Sequence, residues 1–121
     1  MADDIFLVTG AAGFVGNALV HHLKSEGIRV RAMVRTEAQA EALRPIVDEV
    51  VIADLEAPET LGPAVAGVAG IYHIAAVFRV AAIPEETFRA INADGVRHMI
   101  DAAVAAGVPR FIHCSTNGGH S

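Results

Sequence analysis

Three glycines, Gly10, Gly13 and Gly16, stand at three-residue intervals in the stretch VTGAAGFVG, residues 8 to 16. A short apolar run from Ile5 to Thr9 precedes them, and a helical pattern from Phe14 to Glu26 follows. A strand, a glycine turn and a helix start together make a place for a phosphate. In such a turn Gly10 permits the tight reversal, and Gly13 lets the backbone approach a pyrophosphate. Gly16 allows the helix and the strand to pack closely. The helix N-terminus contributes unpaired N–H groups and partial positive charge. The competing reading is a glycine-rich turn kept for packing alone.

The remaining elements must position that turn. In the first helix Val15, Leu19 and Leu23 recur one turn apart, and Gly27 ends it as a C′ residue. Ile28 to Arg35 reads as the second strand. Thr36 caps a helix to about Arg44, with Gln39 at the capping-box position and Pro45 as the stop. Val47 to Ala53 reads as a third strand, Pro58 to Ala66 as a short helix weakened by Gly62 and Pro63, and Ile71 to Ala75 as a fourth strand. Glu85 to Ala106 is the longest helical pattern, with Phe88, Ile91, Val96, Met99, Ile100 and Ala103 favouring one side and Gly107 ending it. Arg110 to Cys114 is a fifth strand. Strands that alternate with helices and are apolar on both faces predict a doubly wound, Rossmann-like parallel sheet of order 3-2-1-4-5. The flavodoxin-like order 2-1-3-4-5 is the topological alternative.

A chain of 121 residues, 53% of them apolar, is long enough to bury a core and fits one domain spanning 1–121. The formal charge of −5, with no run of basic residues, argues against nucleic-acid or anionic-membrane partners. The lone cysteine, Cys114, excludes an internal disulfide framework. The start MADDIFLVTG carries acids where a signal peptide needs bases, so a cytoplasmic location is expected. No stretch reaches the roughly 18 apolar residues of a membrane span, and no His, Cys and Asp grouping has metal-ligand spacing. His73, His113 and Cys114 therefore read as strand residues, with His73 a buried, hydrogen-bonded one.

The Gly-x-x-Gly-x-x-Gly spacing, with Thr9 before it and Phe14 inside it, resembles the short-chain dehydrogenase/reductase superfamily. The similarity is greatest to its extended branch, the NAD(P)-dependent epimerase/dehydratase and dihydroflavonol-reductase-like proteins, and to their N-terminal portion. VRAMVR (30–35), ADLEAPETL (53–61), IYHIAAVFR (71–79) and INADGVRHMIDAAVAAGVPRFIHCST (91–116) resemble successive units of that fold. The resemblance implies a cofactor-binding set of Gly10, Ala12, Gly13, Phe14, Val15, Gly16, Arg35, Asp54, Leu55, Ala75 and Ala76. Asp54 and Leu55 would lie beside the adenine, and Ala75 and Ala76 against the adenosine and pyrophosphate. Asn92 would bridge strand backbones.

An NAD site carries an acid at the end of the second strand to bind the ribose 2′-OH. Val34 and Arg35 stand there instead. Arginine pairs with a 2′-phosphate and stacks on adenine, so NADP is favoured over NAD. Arg31 is a weaker assistant on the same strand face. A solvated strand end for Arg35 and a turn cap for Asp54 are the plainer readings.

In the superfamily a tyrosine, with a lysine four residues on, does the acid/base work, and a serine or threonine after the fifth strand orients the substrate oxygen. Thr116 matches that hydroxyl, next to Ser115, although either is equally an ordinary strand-end hydroxyl. The only tyrosine is Tyr72, followed four places on by Ala76, and the only lysine is Lys24. The tail NGGH departs from the family pattern of small apolar residues. The expectation is a nicotinamide dinucleotide-binding portion that is inactive alone. The other expectations are a non-catalytic NADP(H) sensor or binding module, and an interaction protein. In that last reading an open sheet edge, and a long helix that resembles one joining a dimer bundle in relatives, favour self-association or a partner that completes the sheet.

Overall fold

The computed structural model describes residues 4–76 and 85–116, with the backbone alone at 75–76, 85–93 and 114–116. Five strands, β1 (Ile5–Val8), β2 (Arg29–Val34), β3 (Glu49–Ile52), β4 (Gly70–Ala76) and β5 (Phe111–Thr116), form one parallel sheet in the order β3-β2-β1-β4-β5. The expected Rossmann-like order is therefore the observed one. Four helices connect them: α1 (Phe14–Ser25), α2 (Glu37–Leu43), α3 (Leu61–Val65) and α4 (Glu85–Ala106).

The sheet is buried on both faces because its strand residues are apolar on both faces. On one face Val8, Val30, Ala32, Val34 and Ile74 pack with Val20, Leu23, Ala40 and Leu43 of α1 and α2. On the other, Leu7, Met33 and Ile71 pack with Leu61, Ala64, Val65, Met99 and Ala103 of α3 and α4. The chain thus leaves β1 toward one face and β4 toward the other. The carboxyl ends of β1 and β4 form the switch point, where open α/β sheets hold their ligands.

Local chemistry sets the helix ends. Gly27 has φ +79°, its N–H reaches the Lys24 carbonyl, and the Ile28 N–H reaches that of Leu23. This pair of bonds closes α1 as a Schellman turn, which needs the left-handed backbone that glycine adopts freely. Thr36 caps α2 by accepting the Gln39 N–H. The Gln39 carboxamide accepts from Arg35 N–H rather than Thr36 N–H, so the capping box is displaced by one residue.

Several expectations shift. The third strand is shorter than Val47 to Ala53, although its hydrogen bonds extend one residue beyond each end, from Asp48 to Val30 and from Ala53 to Val34. The single helix expected from Pro58 to Ala66 is a 3-10 turn (Pro58–Thr60) followed by the five-residue α3. Pro63 explains the break, because its ring would collide with the Glu59 carbonyl of a continuous helix. The buried residues of α1 are Gly16, Val20 and Leu23, leaving Val15 exposed. In α4 the buried stripe is Gly95, Met99 and Ala103, and Ile100 is rotated off it to the surface. Phe88, Ile91 and Asn92 fall where no side chain is described, and NGGH lies outside the described residues.

Candidate functional site

The glycine turn sits at the switch point. Gly10 has φ +62°, a left-handed conformation that costs any other residue. A Cβ there would lie 3.4 Å from the Ile74 carbonyl of β4, which is ordinary contact, so the demand on Gly10 is conformational. Gly16 meets a different demand. A Cβ on it would lie 2.0 Å from the Gly10 carbonyl oxygen and 3.0 Å from Ala11 Cα. Close packing is thus required, but the surface that α1 presses on is the turn itself rather than the strand.

Gly13 is the N-cap of α1, in extended conformation, and its N–H closes the turn onto the Gly10 carbonyl at 3.0 Å. It has no side chain with which to cap the helix. The first-turn amides of α1 have no intrahelical acceptor and sit at the positive end of the helix dipole. A Cβ on Gly13 would meet only the Gly10 oxygen, at 3.4 Å. Ala12 is exposed, and Phe14 is 90% exposed with Val15 beside it. Helix N-terminal amides of this kind are suited to oxygen anions.

A buried polar pair holds the turn to β4. Thr9 Oγ1 accepts the Ile74 N–H at 3.0 Å and lies 3.3 Å from His73 Nδ1. The hydroxyl keeps its own proton and a second lone pair, so it can bond either neutral tautomer of His73. Burial, with a smaller contribution from the neighbouring His113, pushes the His73 imidazole down to about 4. The rings of His73 and His113 stack at 5.6 Å between β4 and β5, and the Phe111 ring stacks on His73 at 5.9 Å. His73 is the buried, hydrogen-bonded histidine expected, and His113 is the strand residue expected, in β5 with its ring against His73 although it is exposed.

Arg35 and Asp54 come together beyond the ends of β2 and β3. Their side chains approach to 3.7 Å, and Arg35 is 69% exposed. Backbone bonds hold both in place. Gln39 accepts the Arg35 N–H, Asp54 N–H donates to Thr60 Oγ1, and Asp54 Oδ1 accepts the Glu56 N–H. The last bond makes the turn cap weighed for Asp54, while its second oxygen still faces Arg35. Arg31 does not assist. It pairs with Glu49 at 2.7 Å and donates to the carbonyls of Ala64 and Ala66, closing the end of α3. It shares a strand face with Arg35 but lies four residues back, roughly 13 Å along the strand.

Leu55 is half-buried against the α3–α4 core, with its carbonyl 2.6 Å from His98 Nδ1. Nothing in the sequence singled out His98, since the contact spans 43 residues. Ala75 pairs in register with Ser115, and Ala76 with Thr116, which puts the backbone of Thr116 at the same end of the sheet as the glycine turn. The side chains of these residues lie outside the described set. A shallow groove lined by Asp4, Phe6, Ile28, Pro109 and Arg110 occupies the opposite, amino-terminal ends of the strands. Among the described residues no three His, Cys, Asp or Glu side chains converge as metal ligands, and no helix is long and apolar enough to cross a membrane.

The profile of the NAD dependent epimerase/dehydratase family matches residues 6–119. The chain belongs to this family. The resemblance seen in the glycine spacing is thereby borne out. Ceramide reductase of Caulobacter vibrioides is 36% identical over 115 residues, which are 95% of this chain and 35% of that protein. A crystal structure of a short-chain dehydrogenase/reductase superfamily protein from Agrobacterium tumefaciens, with bound NAD, matches with a TM-score of 0.71 and 35% identity over 90% of this chain and 31% of that one. Citrobacter sp. triphenylmethane reductase, complexed with NADP(H), matches with a TM-score of 0.75 and 27% identity over 89% of this chain and 36% of that one. The chain therefore spans about a third of the length of these proteins.

Proposed function

We propose that residues 1–121 are the nicotinamide dinucleotide-binding portion of an NAD(P)-dependent epimerase/dehydratase or reductase-like protein. The diphosphate lies on the first-turn amides of α1, within Gly10, Ala12, Gly13, Phe14, Val15 and Gly16. The single observation that carries this reading is the turn itself. Its glycines bring the uncapped N-terminal amides of α1 to the switch point. The adenosine half lies toward Arg35, Asp54 and the Leu55 backbone, and Ala75 and Ala76 flank the diphosphate. Relatives that hold NAD and NADP(H) support a dinucleotide ligand.

Arg35 favours NADP(H), because its exposed guanidinium offers paired donors to a 2′-phosphate where NAD sites place an acid. Thr116 would orient a substrate oxygen. The only tyrosine, Tyr72, packs its ring 5.8 Å from that of Phe6, and no lysine follows it at four residues. These residues bind the cofactor and, alone, turn nothing over.

Calorimetric titration with NADPH and NADH tests the reading. NADPH is expected to bind about tenfold more tightly, and Arg35→Leu to erase most of that ratio. No saturable binding of either cofactor would remove the site. Tighter binding of NADH would remove the role of Arg35. Activity on ketones or nucleotide sugars would overturn the assignment of binding without turnover.

A second reading is self-association through α4. Ile100 and Val104 lie one turn apart on it, and Val104 is 74% exposed. Sedimentation equilibrium tests this, with a monomer at all concentrations as the opposing outcome.

A further inference from the structure

The loop after β3 carries Asp54 and Leu55, and it is tied to α4 at two points that neither β2 nor the glycine turn touches. His98 Nδ1 lies 2.6 Å from the Leu55 carbonyl oxygen. A carbonyl only accepts, so Nδ1 carries the proton and donates it. One turn earlier in α4, Gly95 is buried against the Leu55 side chain, and a Cβ built there would come within 3.3 Å of Leu55 Cδ1. Helical spacing of three residues puts both contacts on one face of α4. Met99, next to His98, is fully buried in the core and anchors that face.

We infer that His98 is a positioning residue for cofactor binding: with Gly95 it latches the 54–57 loop to α4 and so fixes where the Asp54 carboxylate stands beside Arg35. This rests on the dinucleotide reading above. Further hydrogen bonds of the loop are local, and the Leu55 side chain also packs against the α3–α4 core. Thr60 Oγ1 bonds the Asp54 N–H and the Ala57 carbonyl, and Asp54 Oδ1 bonds the Glu56 N–H. Those bonds shape the loop, and its placement on the molecule rests on β3, the core packing of Leu55 and the latch. Histidine suits the role because its ring reaches the carbonyl with few rotatable bonds, so the loop is held at little entropic cost. His98 acts at the adenosine half only, since the glycine turn is held separately through Thr9.

His98→Ala and His98→Asn separate this role from a general one. The asparagine amide can stand close to where Nδ1 stands and donate to the same carbonyl. In the ligand-free protein, hydrogen exchange of the 54–57 amides is expected to quicken about tenfold in the alanine variant and to recover in the asparagine variant. NADPH and adenosine 2′,5′-bisphosphate are both expected to bind His98→Ala about three- to tenfold more weakly, with affinity restored in His98→Asn. Unchanged exchange in His98→Ala overturns the latch, whatever the binding data show. Faster exchange with unchanged affinity for both ligands overturns its role in binding. Equal losses in the alanine and asparagine variants would mark His98 as packing only and also overturn the proposal. If the unmodified protein binds neither ligand, the dinucleotide reading falls, and the inferred role of the latch in binding falls with it.

Discussion

At the end of β1 the backbone has no slack, whereas at the ends of β2 and β3 exposed side chains meet over water. Gly16 touches the Gly10 carbonyl, and Thr9 and His73 are 1% exposed. Arg35 and Asp54, by contrast, approach only to 3.7 Å, with Arg35 largely in solvent. In the proposed reading the end of β1 is a diphosphate site and the ends of β2 and β3 a specificity site, and the two have different needs. The first must present amides at fixed positions, so it is built from steric necessity and buried hydrogen bonds. The second must choose between a hydroxyl and a phosphate, and charge on a solvated side chain does that with little effect on the fold. The same split should appear in stability: substitutions at the turn unfold the protein, and substitutions at the β2 and β3 ends change only what binds.

The largest expected effect is Gly16→Ala. The new methyl would stand 2.0 Å from a backbone oxygen, and neither partner can rotate away. A cost of about 3 kcal/mol, the upper part of the usual range for overpacking, is expected from urea unfolding. Binding of NADPH would be lost with it. A loss below about 1 kcal/mol would show that α1 can slide on the turn, and the contrast drawn above would be broken.

Next comes acid. His73 is neutral in the folded protein down to about pH 4, while in the unfolded chain it takes a proton near 6.5. Its contribution is therefore fully present above 6.5. It falls as the pH drops from 6.5 toward 4, because only the unfolded state gains the proton, and it levels off below that. The full loss is about 3 kcal/mol. Carboxylates paired with cations, such as Asp48 with Lys24, lose stability in more acidic solution, so the native protein is compared with His73→Asn. The two profiles should converge as pH falls from 6.5 to 4, and parallel profiles would remove the assignment. Thr9→Val follows in size. It leaves the Ile74 N–H and His73 Nδ1 without their buried partner, at about 2 kcal/mol by urea unfolding at pH 7.5. A cost near zero would mean that water or another group takes the place of the hydroxyl.

The same contrast explains what could be read from the sequence. The parallel doubly wound sheet, the helix stop at Gly27 and the tight turn at Gly10 are legible because each follows from a local pattern: alternation of elements, or a glycine where the chain must reverse. The cap at Thr36 is legible for the same reason. Arg31 is not. Face parity on β2 is a sequence property, but its partners at Ala64 and Ala66 lie more than thirty residues away. Ile100 was misplaced because a helical wheel marks an apolar arc, while the width of the buried stripe depends on what packs against it. For Gly16, spacing gives the need for closeness without naming the neighbour, which is the Gly10 carbonyl rather than the strand. His98 carried no sequence signal at all. Its role exists only once α4 lies against the loop after β3.

The smallest effect on stability is expected at Arg35, and it is the sharpest test of the contrast. The ion pair with Asp54 is long and exposed, so water screens it and the two side chains gain little by ordering. Arg35→Leu should move the urea midpoint by less than the equivalent of about 0.5 kcal/mol. The Gln39 bond to the Arg35 N–H uses backbone, so α2 keeps its cap in the variant. If stability holds while the NADPH to NADH ratio collapses, then recognition at this end is separable from folding, as the geometry implies. If instead Arg35→Leu destabilises as much as Thr9→Val, the ends of β2 and β3 are part of the framework. The difference between the two halves of the site would then be one of exposure only.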